Sequence, residues 1–418
     1  MRRQLTIGVA VAASTLMLAA CSQGSATRSS SGDDESDRVT VRYMEFSSNN
    51  GNEDNLASIV EAFEADNPDI EVIVETTPYD DYFTRLQTAV AGNTEADAFE
   101  LNYENFVTYA ESGALAELSG VDEGAYTPSL LEAFQYDGAQ VGLPESFSDV
   151  VLFYNKELFA EAGLDEPSAD WTWEDQLAAA EALTDTDEGV FGLYQPATFH
   201  EFYKVLAQAG GEFFTADGSA VAFDSPAGLE AARWLVEKPG TVMPTEADGA
   251  GTPDFDTELF RSGNLAMWHT GIWMFGPLAD TPFEWDIVVE PGNATQASAM
   301  FTNGVVVSAG SDHPEEAQRW LEYLTSSDAM VDTRLEAGWE LPPIADTDKL
   351  APYLDQTPPA NRDAVFEALE ETVLPPVISS QQEMQDAVTE ELGEAAAGRK
   401  DVEDALADAA DRVNALLN

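Results

Sequence analysis

Carboxylates are the most numerous side chains in this sequence that could do chemistry, because Asp and Glu number 78 among 418 residues. Paired carboxyl groups can act as acid and base on a glycosidic bond, yet so many acids place some pair at a suitable separation by chance. The three histidines, His200, His269 and His313, are widely separated and the chain has one cysteine, so their spacing predicts no metal site. The sequence also has no phosphate-binding glycine loop, nucleophile elbow or zinc-protease helix motif. We therefore predict neither a cofactor nor a metal.

Two tryptophans, Trp268 and Trp273, offer a different chemistry, the stacking of a ligand on an aromatic ring. Sugar rings have apolar C–H faces that pack on indole rings, while their hydroxyls need polar partners. Trp268 ends a predicted strand at 265–268, so it is expected in the core. Trp273 follows Gly271 beyond the end of that strand, where side chains reach a cleft. We predict that Trp273 is a stacking plate for a saccharide.

The charge and composition limit the classes of protein to consider. Lys and Arg number 18 against 78 acids, which gives a net charge of -60, and such a field repels phosphate, so we exclude nucleic acid as a partner. With 44% hydrophobic residues the chain can bury large cores. Its length indicates two domains or one large two-lobed unit.

Alternating strand and helix patterns predict an α/β layer with a parallel sheet in the first part of the body. Apolar residues repeat at every second position in 39–43 and at helical spacing in 56–63, and Asn67-Pro68 ends that helix. A continuous apolar run at 150–154 predicts a strand that is buried on both faces. Further strands are predicted at 70–74, 265–268, 286–289 and 303–307.

The N-terminus has the features of an export signal. Two arginines precede an uncharged, mainly apolar stretch at 5–20, which is too short to span the ~30 Å hydrocarbon core as a lasting helix. We therefore predict a signal peptide at 1–20. The sequence Leu-Ala-Ala-Cys at 18–21 resembles the lipobox of bacterial lipoproteins, and the polar stretch 21–37 is typical of a flexible tether. These features predict a protein that is lipidated at Cys21 and anchored to the cell membrane on its extracytoplasmic side.

Several segments of the body, in order, resemble the extracellular solute-binding proteins of the maltose-binding type. Residues 260–267 followed by 271–273 match the F-x-x-G-x-x-A-M…G-x-W segment of that family. Four more segments agree, at 63–72, 109–115, 142–159 and 397–406. One departure lies at 92–99, where the family's Gly-x-x-P-D turn has no proline in this chain.

The resemblance implies an α/β, two-lobed fold of the periplasmic-binding-protein type (class II) with a hinge between the lobes. Lobe 1 is expected at 38–145 and 292–345, and lobe 2 at 146–291 and 346–418. It further implies a monomeric substrate-binding lipoprotein, not an enzyme, which captures a sugar or oligosaccharide and delivers it to the permease subunits of an ABC importer.

The same resemblance implies a set of ligand-binding residues. Glu45 and Ser47 end the first strand, and Glu145 follows the hinge proline. Asn303 and Gly304 are expected just before a buried strand, where a bare backbone could contact ligand. The full predicted set is Glu45, Ser47, Glu104, Asn105, Glu145, Trp273, Asn303, Gly304, Trp339 and Glu340.

Two other interpretations of the sequence stay open. A lipid-anchored glycoside hydrolase could use two of the many acids, if an apolar pocket keeps one of them protonated. The same fold could also bind a polyamine, a peptide, a metal chelate or another solute, because a fold does not fix its ligand.

Overall fold

The computed structural model describes residues 38–48, 52–252, 254–337 and 340–417. The predicted signal peptide, Cys21, the tether and Trp339 lie outside these described residues.

The strands of the described chain belong to one large sheet and one small hairpin. The strands are β1 (Val39–Glu45), β2 (Ile70–Thr76), β3 (Ala98–Asn102), β4 (Gln135–Tyr136), β5 (Ala139–Gln140), β6 (Leu143–Asn155), β7 (Met267–Gly271), β8 (Trp285–Val288), β9 (Ser298–Val307) and β10 (Thr372–Val373).

Helices cover the sheet and make up most of the rest of the described body. They are α1 (Glu53–Asp66), α2 (Tyr79–Gly92), α3 (Tyr103–Glu111), α4 (Pro128–Glu132), α5 (Lys156–Ala162), α6 (Trp173–Leu183), α7 (Phe199–Gln208), α8 (Pro226–Val236), α9 (Glu246–Gly249), α10 (Phe255–Arg261), α11 (Phe275–Leu278), α12 (Pro314–Ser326), α13 (Asp328–Ala337), α14 (Ala351–Leu354), α15 (Asp363–Ala368), α16 (Gln381–Ala396) and α17 (Val402–Leu416). Short 3₁₀ helices lie at Glu123–Ala125, Ile272–Met274 and Thr347–Leu350.

The large sheet has the strand order β2-β1-β3-β9-β6-β7, with β8 also paired to β6 and β10 paired to β9. β1, β2 and β3 are parallel, as the alternating pattern predicts, and β9 then pairs antiparallel to β3. The 13-residue strand β6 pairs with β9 through its first half and with β7 and β8 through its second half. β6 and β9 therefore join the two ends of the sheet, and their pairing lies at its centre.

Buried apolar side chains form three clusters. One contains only residues between Val41 and Leu143 and between Val305 and Leu350. A second contains residues between Val150 and Val236, Ala299, and residues between Met384 and Val413. The third runs between these regions, from Met44 to Leu369. The lobe boundaries given above stay a prediction.

Four predicted strands begin at different residues in the structure. β6 begins at Leu143 instead of residue 150, and β8 begins at Trp285 instead of residue 286. β7 begins at Met267 instead of residue 265 and ends at Gly271 instead of residue 268. His269, Thr270 and Gly271 therefore lie within it. β9 begins at Ser298, five residues before the predicted start, because Ala299 and Met300 are already buried in the sheet. Asn303 and Gly304 therefore lie inside β9, and the prediction that they precede the strand is wrong.

Candidate ligand-binding site

A cavity of about 330 Å³ opens where β6 and β9 pair, near the middle of the sheet. Ser146, Phe147 and Ser148 of β6 face Met300 to Asn303 of β9 across its floor. The rest of the wall combines aromatic rings with acids and amides, namely Tyr79, Asn102, Tyr103, Glu104, His200 and Glu340. Of the predicted binding residues that the structure describes, it brings Glu104, Asn303 and Glu340 to this cavity.

Glu104 is positioned by the start of α3. Asn102 caps this helix, since its side-chain oxygen accepts a hydrogen bond from the backbone N–H of Asn105 at 3.2 Å. The side chain of Asn105 also donates to Asn102, at 2.8 Å, so Asn105 completes the cap and does not line the cavity. Partial burial raises the pKa of Glu104. A ligand hydroxyl or amine that bonded to this carboxylate would replace the water that burial removes.

Glu45 and Ser47 lie behind the cavity wall. Glu45 is fully buried and accepts hydrogen bonds from the backbone N–H of Ser48 at 2.8 Å, from the Ser48 hydroxyl at 2.7 Å and from the Thr76 hydroxyl. These bonds fix the turn that follows β1. The backbone N–H of Ser47 donates to Glu100 at 3.0 Å. Neither Glu45 nor Ser47 is among the residues of the cavity wall.

Glu145 is also buried, and it forms an ion pair with Arg334 of α13 at 2.6 Å. Arg334 is completely buried, and its other terminal nitrogen lies 3.9 Å from the carboxylate of Glu340. Burial raises the pKa of Glu145 to about 7, although the Arg334 charge opposes this rise. Burial raises the pKa of Glu100 well above its usual range, and the nearby Glu145 charge adds to the effect. Burial therefore favours the protonated form of both acids.

Gly304 faces another side chain and not the cavity. A Cβ at this position would overlap the ring of Phe134, so the glycine makes room for that ring. The expected role for its bare backbone, contact with ligand, is replaced by this packing. The side chain of its neighbour, Asn303, points to the other face of β9, because successive side chains of a strand alternate, and it lines the cavity.

Trp273 lies just past β7, in the 3₁₀ helix Ile272–Met274, and is 51% exposed. Its ring packs edge-on against Phe301 of the cavity wall, with centroids 5.8 Å apart. A Cβ at Gly271 would overlap the same indole ring, so the glycine leaves the space that this ring occupies. The backbone φ of Gly271 is an ordinary -91°, so it is not needed for a special turn. By contrast, Trp268 is 2% exposed and belongs to the core, as predicted.

Several residues of the cavity were not found from the sequence. Tyr79 and Asn102 are joined by a hydrogen bond of 3.2 Å, and Tyr79 is 52% exposed. The hydroxyl of Ser148, another residue of the cavity wall, is buried without a hydrogen-bond partner. Their positions in the chain could have identified Asn102 and Tyr79 as candidates. Asn102 is the last residue of β3, and Tyr79 is the first residue of α2, which follows β2.

One group of side chains has the spacing of metal ligands. Glu201, His269 and Glu290 are all buried with their ligand atoms within 4.8 Å of one another. The ammonium of Lys204 lies among them, 2.8 Å from a Glu201 oxygen and 2.6 Å from a Glu290 oxygen. Lys204 thus already supplies the positive charge that these carboxylates need. His269 bonds to Glu290 and, at 2.5 Å, to Gln176, and burial lowers its pKa well below the usual value, so it is neutral.

A larger cavity, of about 520 Å³, lies between α6 and α8, away from the strand pairing. Its aromatic residue is Trp234, but both faces of that ring are covered. Trp173 stacks on it with centroids 4.6 Å apart, and the Lys238 ammonium lies 3.9 Å from the ring centre. This cavity therefore offers no free ring face, and the smaller one is the better candidate site.

The comparisons with known proteins agree on one family. The model of the bacterial extracellular solute-binding protein family matches residues 58–357. An ABC substrate-binding protein of Listeria monocytogenes, solved in complex with cycloalternan, is 42% identical, with a TM-score of 0.76 over 91% of this chain and 99% of that one. The cyclic α-maltosyl-1,6-maltose binding protein of Arthrobacter globiformis is 28% identical, with a TM-score of 0.77 over the same shares. The maltodextrin-binding protein of Bacillus subtilis (strain 168) is 23% identical over 96% of this chain and 95% of its own length.

The chain therefore belongs to the bacterial extracellular solute-binding protein family. The resemblance to solute-binding proteins of the maltose-binding type and the two-lobed α/β fold class are confirmed. Within the described residues, no helix has the length and apolar character that crossing a membrane requires.

Proposed function

We propose that this solute-binding protein captures a sugar or oligosaccharide in the cavity at the β6–β9 pairing and delivers it unchanged to an ABC importer. The observation that carries the proposal is the mixed wall of the cavity. Aromatic rings such as Tyr103 and Phe301 can cover the apolar faces of a sugar. Glu104 and Asn303 can pair with its hydroxyl groups.

The comparisons support a saccharide over other solutes. The relative at 42% identity was solved with cycloalternan, and the relative at 28% identity binds cyclic α-maltosyl-1,6-maltose. Both share the fold over about nine-tenths of this chain. A transport protein needs no catalytic group. We therefore propose that the carboxylates bind the ligand or keep the protein surface hydrated, and that none of them cleaves a glycosidic bond.

Within the predicted set, we assign direct contacts to the three cavity residues Glu104, Asn303 and Glu340, with Trp273 as a stacking plate at the cavity's edge. Glu45, Ser47, Asn105, Glu145 and Gly304 hold the strands and the helix start that carry these residues. Trp339 precedes Glu340, and its proposed contact with ligand rests on the sequence resemblance alone.

A ligand panel tests the proposal. Neutral oligosaccharides, polyamines and peptides are screened by thermal shift, because a ligand of the native state stabilises it by mass action. Isothermal calorimetry then measures each hit, and chromatography of the mixture looks for cleavage products. Saccharide binding without products is expected. Products would indicate a glycoside hydrolase, and a panel in which only polyamines or peptides bind would contradict a sugar ligand.

We also propose that the protein acts as a monomer tethered to the outer face of the cell membrane through a lipid on Cys21. The support is the lipobox-like sequence that ends at the only cysteine. Cells fed a fatty-acid probe should label the wild-type protein and not Cys21→Ala, and the variant should leave the membrane fraction. Equal labelling and equal membrane retention of both would contradict the anchor.

A further inference from the structure

The charged groups of the cavity wall have one sign. Among its described residues, Glu104 and Glu340 are the acids, and neither lysine nor arginine is present. His200 is an exposed residue, and desolvation lowers its pKa, which favours the neutral imidazole. Any ligand in this cavity therefore meets two carboxylates and no cation.

The layer behind the wall does not reverse this sign. Glu45, Glu100 and Glu145 are buried there, and the negative charge of Glu340 contributes to the raised pKa values of Glu100 and Glu145. The cation beside these acids is Arg334, which lies 2.6 Å from Glu145 and 3.9 Å from Glu340. Its charge is thus already matched by protein carboxylates.

We propose that the cavity selects its saccharide by charge, with Glu104 and Glu340 rejecting sugars that carry a carboxylate or phosphate and accepting neutral or amino-bearing ones. This inference rests on the proposed sugar-binding function. A buried anion is stable only when it is paired, and a ligand carboxylate in this cavity would lose water and gain no cation. A hydroxyl or ammonium group would instead donate to Glu104 or Glu340.

Charge selection by the cavity differs from the general repulsion of anions by the protein's net charge. That repulsion acts through solvent, where salt screens charges beyond ~8 Å at physiological ionic strength and ~3 Å at 1 M. Glu104 is partly buried and close to the ligand, so salt screens it much less. Selection that persists in high salt therefore belongs to the cavity.

The experiment uses matched probes on three neutral backbones: maltotriose, cycloalternan and β-1,4-galactotriose. Each is compared with a form whose primary hydroxyls are oxidised to carboxylates and with a form that carries one primary amine. Calorimetry is done in dilute and in roughly 1 M salt. For any backbone that binds, the carboxylated form should bind at least roughly tenfold more weakly, about 1.4 kcal/mol, in both salts. The amino form should bind as well as the neutral one or better.

Charge-removing variants assign the effect to residues. Glu104→Gln and Glu340→Gln keep the side-chain shape. In the double variant, the ratio of the affinities for the neutral and carboxylated forms should decrease roughly tenfold. Glu132→Gln, at the exposed end of α4, removes an equal charge away from the cavity and should keep the wild-type gap. Melting curves verify that each variant is folded.

The outcomes separate the inference from the proposed function. Equal binding of neutral and carboxylated forms by the wild type, or a gap that is unchanged in the double variant, overturns charge selection and leaves sugar binding intact. Failure of every neutral, carboxylated and amino form to bind contradicts the proposed function itself, and with it this inference.

Discussion

Replacement of Trp273 by alanine is expected to weaken saccharide binding roughly thirtyfold, about 2 kcal/mol, while the unliganded protein stays folded. The magnitude follows from the exposure of the ring. A tryptophan side chain offers ~200 Å² of surface, and at 51% exposure about half of it is free for a ligand to cover. Covering ~100 Å² at ~25 cal/mol per Å² gives about 2.5 kcal/mol as an upper value.

The loss of stability in the same variant is limited by the half that is already buried. The same area arithmetic gives at most about 2.5 kcal/mol, since unfolded chains are partly compact. Trp268→Ala is the matched control, because Trp268 is 2% exposed and its removal from the core should cost ~3–5 kcal/mol. Trp273→Ala should lower the affinity for saccharide, whereas Trp268→Ala should cause the larger loss of free energy of unfolding.

Gly271→Ala tests whether the position of the Trp273 ring matters, because it displaces the ring without removing it. Because a Cβ here would overlap the indole of Trp273, the ring must move, and affinity should fall although the tryptophan is still present. The assay is calorimetry with the tightest saccharide of the panel, together with urea unfolding of each unliganded variant. Wild-type affinity in Trp273→Ala together with a collapsed unfolding midpoint would refute the stacking role.

Three further results are expected. Burial raises the pKa of Glu145 to about 7 and also raises that of Glu100. The native state therefore holds more protons than the unfolded state above pH ~4.5, and the free energy of unfolding should fall as pH rises through this window. Glu100→Gln, which removes one of the two titrating groups, should flatten that fall in urea titrations at several pH values, and an unchanged slope would contradict the assignment. Lys204→Met should cost ~3–5 kcal/mol in urea unfolding because it leaves Glu201 and Glu290 buried without their cation, and a second change, Glu290→Gln, should recover part of the loss; no recovery would mean that lost packing dominates. Added salt should raise the melting temperature, because it screens repulsion within a chain of net charge -60, and a flat salt series would contradict this.

Local patterns were sufficient to predict much of the fold and the place of Trp273. The parallel order of β1, β2 and β3 follows from alternating strand and helix periods, which depend on neighbouring residues only. The exposure of Trp273 follows from its position two residues after the end of β7. The start of β9 was placed too late, since the small residues at 298–299 carry little strand signal until the sheet buries them.

The pairings behind the cavity could not be predicted in the same way. Glu145 and Arg334 are 189 residues apart in sequence, and nothing near either residue marks the other as its partner. Among 78 acids, composition cannot show which few are buried, and Glu100 has no local feature that distinguishes it from the exposed ones. Only the folded position of α13, which packs against α1 and α12, determines that this arginine meets these carboxylates.

Arg334 connects the stability of the fold to the chemistry of the cavity. It neutralises Glu145 directly after the proline of β6, at the irregular point where the pairing of β6 with β9 shifts register between Pro144 and Ser146. It also lies 3.9 Å from Glu340, whose carboxylate lines the cavity. A ligand that covers Glu340 removes water from this pair and strengthens the attraction between Glu340 and Arg334. Because the negative charge of Glu340 also raises the pKa of Glu145, a ligand that changes the surroundings of Glu340 is expected to change the ionisation of this buried acid of β6.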